Sequence, residues 1–123
     1  MAWMYRIDPA RAFVHSVAAG RITGPELLAH AKTLAADPAF RPSFTQLADF
    51  SRVTDMDITP EDVRRLAEIN PFAPEARRVV LIPFDFGFGL GRMYQALVES
   101  SGHEVVVVRD EDEAWARAGV PRG

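Results

Sequence analysis

The sequence predicts an α/β domain: a mixed sheet of about five strands, opened by an antiparallel hairpin and completed by parallel strand-helix-strand crossovers, with about four helices. Three observations predict it. RVVLIP and EVVVVRD are nearly continuous apolar runs rich in β-branched residues, the pattern of strands covered on both faces. Between them Leu90, Met93, Tyr94, Leu97 and Val98 form a helical stripe of crossover length. At the other end of the chain, WMYRID, Asp8-Pro9-Ala10-Arg11 and AFVHSVAAG read as strand, turn and strand.

In WMYRID large and polar residues alternate, which puts Trp3, Tyr5 and Ile7 on one side. Thr23-Gly24-Pro25-Glu26 fits a capping box, the threonine hydroxyl accepting from a free N–H while Glu26 reaches back. Leu27, Leu28, Ala31, Leu34 and Ala35 follow at helical spacing, so a first helix runs from about Gly24 to Ala36 and ends at Asp37-Pro38. FTQLADF, from Phe44, is a strand with the least regular pattern in the chain. DFSRVTDMDITPED, residues 49 to 62, then reads as a strand end, an acidic loop and a capped helix start. Thr59 is the N-cap, Pro60 takes the first helical position, and Val63, Leu66, Ala67 and Asn70 share a stripe that stops before Pro71. RVVLIP and EVVVVRD are expected to be central, parallel neighbours. FDFGFG reads as a glycine-rich loop ahead of the third helix, which stops at Ser100-Ser101-Gly102, and a last short helix spans about Asp110 to Ala118. The order is ββαβαβαβα in one unit over residues 1–123, without repeats or linkers.

A chain of 123 residues can bury roughly two-thirds of its unfolded surface without metal or disulfide staples. The formal net charge of -3 offers no electrostatic footprint for nucleic acid or an anionic membrane. Cysteine is absent, which excludes disulfides, thiol catalysis and thiolate metal sites. No run approaches the roughly 20 apolar residues of a membrane span, and MAWMYRIDPARAF lacks a charged region followed by a long apolar one. The expectation is a soluble, cytoplasmic protein with no membrane insertion.

Gly87, Gly89 and Gly91 sit between an apolar strand and a helix, the layout of a dinucleotide fingerprint. G-x-G-x-x-G needs glycine where Arg92 stands, and there is no Gly-Lys-Ser/Thr, so the glycines read first as a sharp turn and close approach. His15, His30 and His103 have no ligand-like spacing, and no serine lies in a nucleophile elbow. No cofactor, metal or catalytic set is expected. The carboxylates Asp49, Asp55, Asp57, Glu61 and Asp62 either serve acid-base work or stabilise a helix N-terminus, where negative charge is favoured.

The element order, with Asp49-Phe50-Ser51-Arg52-Val53 and then Asp57-Ile58-Thr59-Pro60-Glu61, resembles the STAS domain of anti-sigma-factor antagonists and sulfate-transporter tails. More narrowly the chain resembles stand-alone bacterial SpoIIAA-like proteins, which are grouped with the lipid-binding CRAL-TRIO domains. In the antagonists Asp-Ser-Ser-Gly-Leu carries the regulated serine, and Thr59 falls on that position with proline and an acid after it. The resemblance implies a switch at Thr59 with Asp49, Ser51 and Asp57, and an anti-sigma-like kinase as protein partner. It also implies a nonpolar ligand between sheet and helices, for which Phe84, Phe86, Phe88, Gly89, Arg92, Met93 and Tyr94 are the candidate wall. The functional expectation is a binding domain that is not an enzyme, with homodimerisation through the hairpin edge or aromatic segment as a further expectation. The alternatives are nucleotide or anion binding through Gly87, Gly89, Gly91 and Arg92, or a small enzyme using the acidic loop with Arg92 as anion clamp.

Overall fold

In the computed structural model, which describes residues 3–122, the hairpin consists of β1 (Trp3–Asp8) and β2 (Phe13–Thr23). Asp8 accepts from the Arg11 N–H across a single 3-10 turn, and Ala12, at φ 51°, swings the chain into β2. α1 (Gly24–Ala36), β3 (Thr45–Asp57), α2 (Pro60–Glu68), β4 (Arg78–Leu81), α3 (Asp85–Glu99), β5 (Val105–Val108) and α4 (Glu111–Ala118) follow. The strands lie in chain order, β1 antiparallel to β2 and each later pair parallel. The predicted class, an α/β domain with a five-stranded mixed sheet and four helices, is the one observed.

Strand order fixes the layers. The crossovers through α1, α2 and α3 all advance in the same direction, and crossovers of one hand place their helices on one face. Leu27 of α1, Val63 of α2 and Tyr94 of α3 accordingly share one core with Ala48 and Val80 of the sheet. α4 covers the opposite face alone, where Ala114 and Ala118 meet Leu47, Val79, Leu81 and Val108. α1 begins and ends where the capping box and Asp37 place it, with Thr23 accepting from the Glu26 N–H and Glu26 from the Thr23 N–H.

Three expectations are corrected. β5 is an edge strand, and its run of valines is apolar because α3 and α4 cover it from both sides. β2 and β3 run farther than predicted: Arg21 pairs in register with Asp55 and Thr23 with Asp57, so the acidic "loop" is strand. Arg21 bridges both acids there, at 3.2 Å to Asp55 and 2.8 Å to Asp57. FDFGFG is not a loop either, since α3 starts at Asp85 and the glycines form its first two turns. Packing overrides low glycine propensity. A Cβ on Gly87 would lie 2.5 Å from Met56 Sδ and one on Gly91 2.7 Å from Ile82 Cδ1, so this face of α3 approaches the sheet because it has no side chains there.

Candidate functional site

Alternation along the strands decides which side chains meet α1, α2 and α3. Ser16 of β2, Gln46 of β3 and Arg78 of β4 all face that layer, and Gln46 and Arg78 are register partners. Instead of an unbroken apolar core, a polar chain crosses the amino-terminal ends of the parallel strands. Gln46 Nε2 donates to Ser16 Oγ at 3.2 Å, and Arg78 Nη2 donates to Gln46 Oε1 at 3.4 Å. Arg78 Nη1 donates to Asn70 Oδ1 at 3.1 Å, just beyond α2. The chain ends on histidines: His103 Nδ1 lies 3.3 Å from Asn70 Nδ2, and His30 Nε2 of α1 lies 3.0 Å from Ser16 Oγ.

Burial pushes the His30 imidazole down to about 4, so it is neutral at pH 7. Ser16 Oγ accepts from Gln46 and pairs with His30 Nε2, the imidazole tautomer setting which of the two donates. Trp3 stacks on this ring at 4.4 Å. Arg78 is only 7% exposed, yet all its hydrogen-bond partners are neutral. Among the described residues no carboxylate pairs with it. The rings of Phe72, 4.2 Å away, and Tyr94, 5.4 Å away, flank the guanidinium and offset part of its desolvation.

The helices do not close fully on the sheet above this chain. A cavity of about 90 Å³ remains, walled by apolar side chains including Leu27, Val63, Val80, Leu90 and Tyr94. Gln46 and Arg78 lie at one end and Met56, Ile82 and Gly87 at the other, while Trp3 and His30 close the side nearest β1 and α1. Arg78 and Ile82 are four residues apart on extended chain, so the site is about 13 Å long. Three buried side-chain nitrogens among the described residues lack a partner: Trp3 Nε1, Arg78 Nε and His15 Nε2. Two of the three belong to residues lining this cavity.

The predicted ligand wall is only partly brought together here. Tyr94 lines the cavity; Phe84, Phe86, Phe88, Gly89, Arg92 and Met93 do not. Phe84 and Phe86 stack on each other at 4.4 Å, with Phe86 51% exposed, and Phe88 lies under Arg109 at 4.8 Å and near Arg92 at 6.0 Å. Phe84, Phe88 and Met93 pack against the edge of the three-helix core, while Gly89 and Arg92 are exposed. α3 instead presents Gly87, Leu90, Gly91 and Tyr94 to the cavity.

The predicted switch set is dispersed. Thr59 caps α2 in a reciprocal box with Asp62: its Oγ1 accepts from the Asp62 N–H at 3.2 Å and its own N–H donates to the Asp62 carboxylate at 2.9 Å. Asp57 is held by Arg21. Asp49 faces the α4 side, where its Oδ1 accepts from the Ser51 N–H at 2.8 Å and its Oδ2 lies 3.9 Å from His15 Nε2. Burial pushes the Asp49 carboxyl up, but His15 and the Ser51 N–H and hydroxyl outweigh it and hold the group below its ordinary range.

Sequence reasoning missed Arg78, Gln46, Ser16 and Trp3 as a group. The available signal was a polar residue two positions from a core residue on an apolar strand: Gln46 before Ala48, and Arg78 before Val80. No group of three or more His, Asp or Glu among the described residues is arranged to hold a metal ion, and no described helix is long and apolar enough to cross a membrane. No protein-family model matches the chain, and a search of curated proteins finds no match.

Proposed function

We propose that this chain is a binding domain of the STAS, SpoIIAA-like type that holds an apolar small molecule between its sheet and α1, α2 and α3. The observation that carries this reading is the apolar cavity of about 90 Å³ under the three helices. A packed domain has few voids larger than a water molecule, and closing this one with larger side chains would be a small evolutionary step. Gly87 and Gly91 support it from the other direction, because they draw the amino-terminal half of α3 close to the sheet while Leu90 and Tyr94 still border open space. The opening hairpin, parallel crossovers and one-sided helix layer support the family assignment.

Action by binding rather than by catalysis fits the polar groups present. The Ser16–His30 pair has a nucleophile and a neutral imidazole, but Ser16 is fully buried beneath Gln46 and His30 and is not on the cavity wall. Regulation through an anti-sigma-like kinase draws less support, since the Thr59 hydroxyl is occupied as a cap and Pro60 offers no N–H to a phosphate.

Native mass spectrometry of protein purified without detergent tests the proposal, alongside titration with a neutral polarity-sensitive dye. A retained small-molecule mass, or dye binding that Ala48→Leu abolishes by filling the cavity floor, is the expected result. The absence of both a retained mass and dye uptake would overturn the small-molecule reading. Kinase incubation followed by peptide mapping addresses the other reading, and phosphate on Thr59 would revive it.

A further inference from the structure

Resting on the reading of this cavity as a small-molecule site, we propose that its occupant is an anion: a monocarboxylate with an apolar body, its carboxylate seated at the Arg78 end. Arg78 is the reason. A guanidinium 7% exposed among neutral groups has lost most of its hydration without gaining a counter-charge. Its Nε–H has no acceptor. The unsatisfied atom is a donor. A ligand bringing acceptor oxygens and one negative charge pairs the cation, whereas a neutral hydrocarbon leaves it without a counter-charge.

The surroundings narrow the class of anion. One arginine balances one charge, and the polar end supplies no second cation: His30 is neutral, and Gln46 and Ser16 are uncharged. A phosphate dianion would therefore keep an unpaired charge in a largely apolar site, and a carboxylate would not. Beyond Arg78 the walls are apolar as far as Met56 and Ile82. The enclosed space, about 90 Å³, is smaller than the ~150 Å³ that admits benzene, so it takes a short chain or the first carbons of a longer one. Half-buried Met56, Ile58 and Leu66 border the other end, where a longer tail would emerge.

The test is calorimetric titration of the whole chain at neutral pH with butanoate, hexanoate, octanoate and decanoate. Each acid is compared with its primary amide, which has the same shape and no charge. The expected result is that for at least one chain length the carboxylate binds about tenfold or more tighter than its amide. Arg78→Met should abolish that preference while leaving the melting temperature unchanged or raised, because it removes an unpaired buried charge. Equal binding of acid and amide to the wild type would overturn the carboxylate assignment and leave the apolar site standing. No binding of either series, with no dye uptake, would take down the underlying small-molecule reading. Should Arg78→Met fail to fold, the wild-type ratio of acid to amide decides the matter alone.

Discussion

The two faces of the sheet each hold a basic side chain from a strand, half-buried His15 on one and buried Arg78 on the other, and they treat it differently. On the α4 face His15 lies 3.9 Å from Asp49, against Trp115 and Phe13, in a layer where one short helix packs onto Leu47, Val79 and Leu81. On the three-helix face Arg78 has only amide oxygens and aromatic rings beside it, next to a cavity. In the first, the charge partner belongs to the chain itself, while His15 Nε2 makes no hydrogen bond. The second leaves a cation without a counter-charge beside a cavity that three helices border. Ligand sites in α/β domains commonly cost stability in this way, because groups placed for a partner are poorly satisfied without it.

The largest expected effect tests the packing half of that contrast. Leu81, 1% exposed on the α4 face, belongs to the core cluster with Leu47, Val79 and Ala114, so Leu81→Ala should destabilise by about 2–5 kcal/mol in urea unfolding. Ala48→Val on the cavity floor should change stability by no more than about 1 kcal/mol, because the added methyl groups enter existing space. Similar losses from both substitutions would show that the two faces are equally tight.

Next in size is a pH effect that belongs to the three-helix face. The unfolded His30 titrates near 6.5 and the folded ring only near 4, so between these values the unfolded chain binds more protons. Stability should therefore fall as pH drops from 6.5 toward 4, by at most about 3 kcal/mol, and level off below. The shift of Asp49 has the same direction but acts in a lower window: its contribution is present above its ordinary 3.8 and is lost only as pH falls through a lower folded value. Urea midpoints measured across the two windows separate the faces. His30→Phe, which keeps a ring against Trp3, should flatten the upper window and leave the lower one unchanged.

A smaller effect concerns the charges themselves. Asp49→Asn keeps an acceptor for the Ser51 N–H but removes the negative neighbour of His15, and should cost about 1–2 kcal/mol. Arg78→Met, the corresponding loss of charge on the other face, should cost nothing or stabilise. A thermal melt of each variant gives the comparison, and equal losses would mean that Arg78 is as well satisfied as Asp49.

Much of the fold was legible because local signals agreed with tertiary structure. Thr23, Pro25 and Glu26 start α1, Thr59 and Pro60 start α2, and the valine-rich runs mark β4 and β5. Signals failed where packing overruled propensity. Gly87 and Gly91 look like loop residues, yet they are helical because Met56 and Ile82 occupy the space their side chains would need. Asp55 and Asp57 look like a loop until Arg21 is known to lie beside them in register. The site was the least legible part. Arg78 opens an apolar run and reads as its flank, and the cavity depends on how three helices approach a sheet, which no local pattern encodes.

The smallest expected effect lies where the helix layer begins. α1 and α2 both start with a reciprocal capping box, whereas α3 starts at Phe84 with no side-chain cap. Thr59→Ala removes the acceptor for the Asp62 N–H and should cost about 1 kcal/mol, while Thr59→Ser should cost less because its hydroxyl can restore the bond. The loss should be local. Amide hydrogen exchange should quicken at Asp62, whose N–H is freed, and leave the protection of Val79 and Leu81 in the sheet unaltered apart from the global change. Thr59→Ala with wild-type stability and exchange would mean that the threonine is held for something other than capping. A regulatory hydroxyl would then become the better account of this position.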